Sequence, residues 1–200
     1  MPHDPLLYRL IGALWGVWAL YWLASASGNK MTRRREPWHS RLAYSGPVFA
    51  GALLIVWRPA PWGGWLAAPL WPDAPLAGWI GLTLLAAGLA FAVWARVHLG
   101  RNWSGTVTVK EGHELIRTGP YARVRHPIYT GLLTAVLGTA VVAGSVRAAF
   151  GFAIIAASLV IKSRIEERYM RETFPGEYPR YRATVPALIP FTRPRRSAPR

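Results

Sequence analysis

Apolar residues along this chain gather in blocks, and the polar residues collect in the breaks between them. Five blocks stand out, at residues 6–25, 42–57, 76–99, 128–143 and 147–161. The first has roughly the 20 residues that a bilayer-spanning helix needs, and the third is longer still. The second contains Pro47, which a membrane helix tolerates where neighbouring helices cover the freed carbonyl. Each of the last two blocks gives roughly 23 Å of helix at 1.5 Å per residue. That falls short of a hydrocarbon core of about 30 Å. Only a few residues around Gly144-Ser145 separate them, so they predict a tight, tilted or end-extended hairpin whose second arm runs on into polar residues 162–173. The pattern therefore predicts an all-α integral membrane protein with five transmembrane helices, including a C-terminal helical hairpin, plus a cytoplasmic loop and a C-terminal helix. It reads as one membrane domain over residues 1–200. Three spans occupy 6–99, a loop 100–127, the hairpin 128–161, a polar segment 162–192 and a basic tail 193–200.

Charge in the breaks orients the spans. The breaks at 28–41, 100–127 and 162–200 hold five, five and ten Lys and Arg, whereas those at 58–75 and 144–147 hold one each. Five spans put the three rich breaks on one side, which the positive-inside rule makes cytoplasmic. The N-terminus is then outside, a topology suited to a bacterial inner membrane. The first block begins almost at once, without a basic leader, and is too long for a cleavable signal core, so it reads as a retained span.

The formal charge of +15 invites nucleic acid as a partner, but the cations sit between apolar blocks and fit membrane headgroups better. Absent cysteine excludes disulfides, thiolate metal sites and a cysteine nucleophile. The eleven tryptophans read as interfacial anchors rather than a cofactor box. Gly78, Gly81 and Gly88 permit close helix packing, and with Gly131 they leave room either for a lipid chain or simply for a neighbouring helix.

Residues 113–129 carry the candidate chemistry, with two histidines, two tyrosines, three arginines and two prolines between two apolar runs. Arg125-His126-Pro127-Ile128-Tyr129 combines a cation, a titratable ring, a helix-starting proline and a phenol within about one turn. A histidine before such a proline also suits a plain helix cap. On the same predicted face, Glu166-Glu167 stands among Arg164, Arg168 and Arg171. It is either a solvated, salt-bridged helix surface or a carboxylate site for a polar or cationic ligand. His98, in the last turn of the third block, suits a helix end.

The run from His113 through Gly131, followed by Glu166-Glu167, Phe174, Glu177-Tyr178, Tyr181, Val185-Pro186 and Pro190-Phe191, resembles the isoprenylcysteine carboxyl methyltransferase family and its phospholipid methyltransferase relatives. The resemblance covers the C-terminal half, and the N-terminal spans match only as generic membrane helices. It implies an integral-membrane methyltransferase using S-adenosylmethionine without a Rossmann domain and acting on a lipophilic or lipid-modified acceptor. By motif it implies cofactor binding at His113, Leu115, Ile116, Tyr121, His126, Pro127, Tyr129 and Glu166, which makes the 100–127 loop and the C-terminal segment cofactor-binding. The family's substrate-side arginine falls on Lys162, replacing a planar fork with a point charge, and a polar glutamine falls on Thr106. Catalytic roles would lie with Lys162 toward the acceptor, and with His126 or Glu167 as base if the acceptor is an amine. A sterol-type reductase using NADPH shares the Arg-His-Pro-x-Tyr run but normally has more spans. A non-catalytic membrane binding protein is a further alternative.

Overall fold

The computed structural model describes residues 4–26, 32–35, 37–57, 64–71, 75–103, 108–110 and 114–192. His113, Thr106 and the basic tail 193–200 lie outside them. Five long helices occupy the places of the five apolar blocks: α1 (Pro5–Ser25), α2 (Trp38–Val56), α3 (Pro75–Leu99), α4 (Pro127–Ala143) and α5 (Val146–Thr173). A short α6 (Glu177–Thr184) follows. By length and composition α1, α3 and α5 suffice to cross a membrane, while α4 is apolar but shorter. In α2 the opening turn carries His39, Ser40 and Arg41, which dilutes its apolar length. α5 is continuous through the polar segment, and its 28 residues give roughly 42 Å of helix.

Helix direction alternates. Gly81 meets Gly138 and Gly88 meets Gly131 between α3 and α4, and Gly51 meets Gly151 between α2 and α5, so both pairs are antiparallel. A Cβ on Gly88 would stand 2.5 Å from the Gly131 carbonyl oxygen, and one on Gly151 would stand 2.5 Å from that of Gly51. The glycines are therefore used for backbone-to-backbone packing. This decides the question left open for Gly131, which faces Gly88 and Ala92 and leaves no lipid slot there. Leu7 and Ile11 of α1 join Leu85, Leu89, Ala135 and Val142 in one core cluster. A second cluster runs from Ala140 and Ala148 beside the α4–α5 turn through Ile155 and Leu159 to Ala95, Tyr121, Ile128 and Tyr129.

The alternation brings the charged breaks together. Two strands absent from the all-α expectation, β1 (Thr32–Arg35) and β2 (Thr108–Lys110), pair antiparallel. They tie the break after α1 to the break after α3. Short polar breaks give no apolar alternation to read, which is why the ribbon was not visible in the sequence. At the opposite bundle end, Leu70 N–H donates to the Gly144 carbonyl at 2.9 Å and Val146 N–H to Ala68 at 3.1 Å. Gly144 takes φ 56° to end α4, a left-handed conformation that glycine adopts freely. Arg147 Nη1 then caps α2 by donating to the carbonyls of Leu54 (2.7 Å) and Ile55 (2.9 Å).

Candidate active site

The site is assembled where α4 begins. Pro127 is the first helical residue, with φ already set for the helix and no N–H to orphan. The chain returning from α6 runs beside this start. Arg125 N–H donates to the Pro186 carbonyl at 2.9 Å and His126 N–H to Ala187 at 3.0 Å, while Thr130 Oγ1 donates to Leu188 at 2.6 Å. The Tyr181 hydroxyl donates to the Tyr121 carbonyl at 2.6 Å. Residues 177–188 thus lie clasped against residues 119–130.

Arg125 is the latch of this clasp. Its Nε donates to Glu167 Oε1 at 2.9 Å, its Nη2 bonds the same oxygen, and its Nη1 donates to the carbonyls of Arg182 (3.2 Å) and Val185. Arg182 Nε adds a contact to Glu167 Oε2 at 3.2 Å. Both the Arg125 and Glu167 side chains are buried, a setting in which a carboxylate is retained only with partners of this quality.

His126 lies between two carboxylates, its Nδ1 3.4 Å from Glu166 Oε2 and its Nε2 3.4 Å from Glu167 Oε1. Burial alone would lower its pKa, but the hydrogen bonds and charges of Glu166 and Glu167 outweigh burial and raise it above the usual histidine value. Tyr129 stacks parallel to the His126 ring at 5.6 Å and donates its hydroxyl to Glu166 Oε1. Lys162 Nζ stands 5.0 Å from the Tyr44 ring centroid and 5.3 Å from that of Tyr129, within cation–π range. Burial pushes the phenol of Tyr121 up, so it stays a neutral donor, reaching the Ala95 carbonyl at 3.4 Å.

These groups border a cavity of about 270 Å³ at the charged end of the bundle. α5 presents Leu159, Lys162, Glu166 and Met170 to it, a spacing of three and four residues that keeps them on one helix face. Glu167, one residue on, is turned about 100° around the helix toward Arg125. Leu115, Ile116, Tyr121, His126, Pro127, Tyr129, Glu166 and Lys162 all line the cavity, whereas Glu167 does not. Glu167, expected from the sequence as a base, points away from the cavity, and its carboxylate holds Arg125 and Arg182. His113 lies outside the described residues.

Several lining residues escaped sequence reasoning. Trp18 and Trp22 border the cavity together with Trp103, so for Trp18 and Trp22 the interfacial-anchor reading is replaced. Trp18 stacks on Trp22 at 4.8 Å, and Trp22 meets Trp103 edge-on at 5.3 Å. The i, i+4 spacing of Trp18 and Trp22 was the available signal. Arg96 reinforces this wall, its guanidinium 4.3 Å from the Trp103 ring centroid and bonded to the carbonyls of Gly100 (2.9 Å) and Ser25. Tyr178 and Tyr181 complete the lining from α6. His98 is structural, 2.9 Å from Thr118 Oγ1 and stacked on Tyr121.

Fold and site define an integral-membrane helical protein with a cavity, polar at one side and aromatic at the other, at the end of its bundle. Residues 79–172 match the family model of the isoprenylcysteine carboxyl methyltransferase (ICMT) family. Protein-S-isoprenylcysteine O-methyltransferase B of Arabidopsis thaliana is 32% identical over 115 residues, covering 56% of this chain and 58% of that protein. The cobalt-zinc-cadmium resistance protein CzcN of Cupriavidus metallidurans is 29% identical over 114 residues, covering 54% and 49%. A solved eukaryotic intramembrane Ras methyltransferase, ICMT, superposes with a TM-score of 0.56 at 21% identity over 94% of this chain and 68% of that one, a likeness of fold. Over residues 79–172 the chain is similar to the isoprenylcysteine carboxyl methyltransferase family. It spans about half the length of the curated relatives it matches.

Proposed function

We propose that this protein is an S-adenosylmethionine-dependent methyltransferase acting on a lipophilic or lipid-modified acceptor. The observation that carries the reading is the convergence of two motifs about forty residues apart, 114–129 and 162–170, on one cavity. The residues present fit the cofactor. The Glu166 carboxylate, with Tyr129 and Tyr121 around it, suits a cationic ligand, and Leu115, Ile116 and Trp103 offer an apolar slot. His113 joins this set by motif. When bound, the cofactor supplies an electrophilic methyl group on a sulfonium.

The chain's own residues then position and desolvate. The Tyr129 hydroxyl and His126 fix the Glu166 carboxylate, so the counter-charge is oriented before any ligand arrives. Trp18, Trp22 and Trp103 wall off water. Lys162, placed between Tyr44 and Tyr129, offers a cation to an acceptor. Among the described lining residues, His126 sits between two carboxylates that favour its protonated form, which does not suit it to act as a base. This supports an acceptor that is already anionic, a carboxylate or thiolate, over an amine. The membrane topology proposed with this activity is five spans, the N-terminus outside and the cavity at the cytoplasmic face of a bacterial inner membrane.

Equilibrium binding of S-adenosylhomocysteine and of NADPH to detergent-purified protein tests the reading. S-adenosylhomocysteine is expected to bind, NADPH is not, and Glu166→Gln is expected to abolish binding without altering helix content. Absence of S-adenosylhomocysteine binding by the unmodified protein would reject the assignment.

A further inference from the structure

After α6 the chain runs on beside the first turn of α4. The Leu188 carbonyl accepts from Thr130, the fourth residue of α4, so the segment has descended roughly 5 Å along that helix from its start. Leu188 packs on the core cluster. The two large apolar side chains that follow do not: Ile189 is 67% and Phe191 91% exposed. Phe191 also holds φ 64° after Pro190, in a turn closed by Thr192 Oγ1 donating to the Ile189 carbonyl at 2.7 Å. Proline followed by a positive φ is the arrangement of a type II turn, whose third residue is ordinarily glycine. A phenylalanine there is locally disfavoured. The sequence continues with Arg193, Arg195, Arg196 and Arg200, charges that are attracted to an anionic headgroup layer.

We propose that Ile189 and Phe191 form a bilayer-inserted anchor, and that the lipid surface thereby holds residues 177–188 closed over the cavity. The occupant is the interface of an anionic bilayer, just outside the start of α4. Aromatic and aliphatic side chains partition there, and the neighbouring arginines add headgroup attraction. The clasp onto residues 119–130 is made largely of single hydrogen bonds to the 182–188 carbonyls, so tethering the tip limits its opening. The inference is independent of which ligand the cavity takes.

The chain lacks cysteine, so Thr192→Cys gives a single labelling position. The labelled full-length protein would be placed in nanodiscs of mixed phosphatidylcholine and phosphatidylglycerol. An environment-sensitive dye at 192 is expected to be quenched by lipids carrying a nitroxide near the glycerol level and shielded from aqueous iodide. Phe191→Gly, which relieves the backbone, and Ile189→Asp with Phe191→Asp are each expected to reverse that order and to raise amide exchange over residues 177–188. The proposal is overturned if the dye in the parent protein is iodide-accessible and unaffected by the lipid nitroxide. It is equally overturned if the substitutions change neither signal, or if protection is lost on dilution to monomer, which would assign the tip to a second copy.

Discussion

Replacing Arg125 by methionine removes four hydrogen bonds at once while keeping most of the side chain's bulk. Glu167 would lose the hydrogen bonds from Nε and Nη2, and the carbonyls of Arg182 and Val185 would lose theirs. The Arg125 and Glu167 side chains are only 7% and 8% exposed, so the stranded carboxylate cannot recover full hydration. Removing one partner of a buried pair costs about 3–5 kcal/mol. Arg182, 40% exposed, and His126 remain beside Glu167, which places the expected loss toward about 3 kcal/mol. The double change Arg125→Met with Glu167→Leu removes both charges, so most of that loss should be recovered, with a coupling energy of roughly 2–3 kcal/mol. Equilibrium unfolding in mixed micelles followed by circular dichroism measures all four corners of the cycle. Hydrogen exchange over residues 177–188 shows whether the clasp opens first. A single-mutant cost below about 1 kcal/mol, or additive behaviour of the pair, would refute the latch.

Three further outcomes are expected. Gly88→Val places a Cβ 2.5 Å from the Gly131 carbonyl oxygen and the Ala135 nitrogen, backbone that cannot yield, and should lower stability by about 1–3 kcal/mol or more. Gly12→Ala on α1, with nothing within 4 Å, should leave the thermal unfolding midpoint unchanged. For His126, whose folded pKa is raised, the stabilising contribution is complete below its ordinary value of about 6.5. It is lost as pH rises through the folded value, so unfolding free energy should fall across that alkaline-side window. His126→Gln should flatten the profile, and an unchanged slope would show that the ring does not titrate between the two carboxylates.

Helix placement was legible because burial in lipid needs long local runs of apolar side chains, and the five blocks coincide with α1 to α5 to within a few residues, except that α5 runs on through the polar residues 162–173 as expected. The common end of the three charged breaks was legible for a similar reason, since it follows from counting spans. Pro127 announced the start of α4, and the pairing of Tyr129 with Glu166 was reachable through the family resemblance. What remained hidden depended on rotation about helix axes. Nothing local distinguishes Glu166, which faces the cavity, from Glu167, which faces Arg125, because one residue of helix turns the side chain by about 100° and only packing sets the zero of that angle.

The sequence by itself determined which segments are helical, which breaks share a side, and which residue types are available at that side, because these follow from local hydrophobicity and charge. Only the tertiary structure decided that Trp18 and Trp22 join the cavity, that a β ribbon ties two breaks, and that the Gly81, Gly88 and Gly51 contacts bring backbones together. It also decided that residues 177–188 close over the start of α4. Each of these is a pairing across dozens of residues, fixed by the direction, rotation and close approach of already formed helices, and no window of neighbouring residues encodes it.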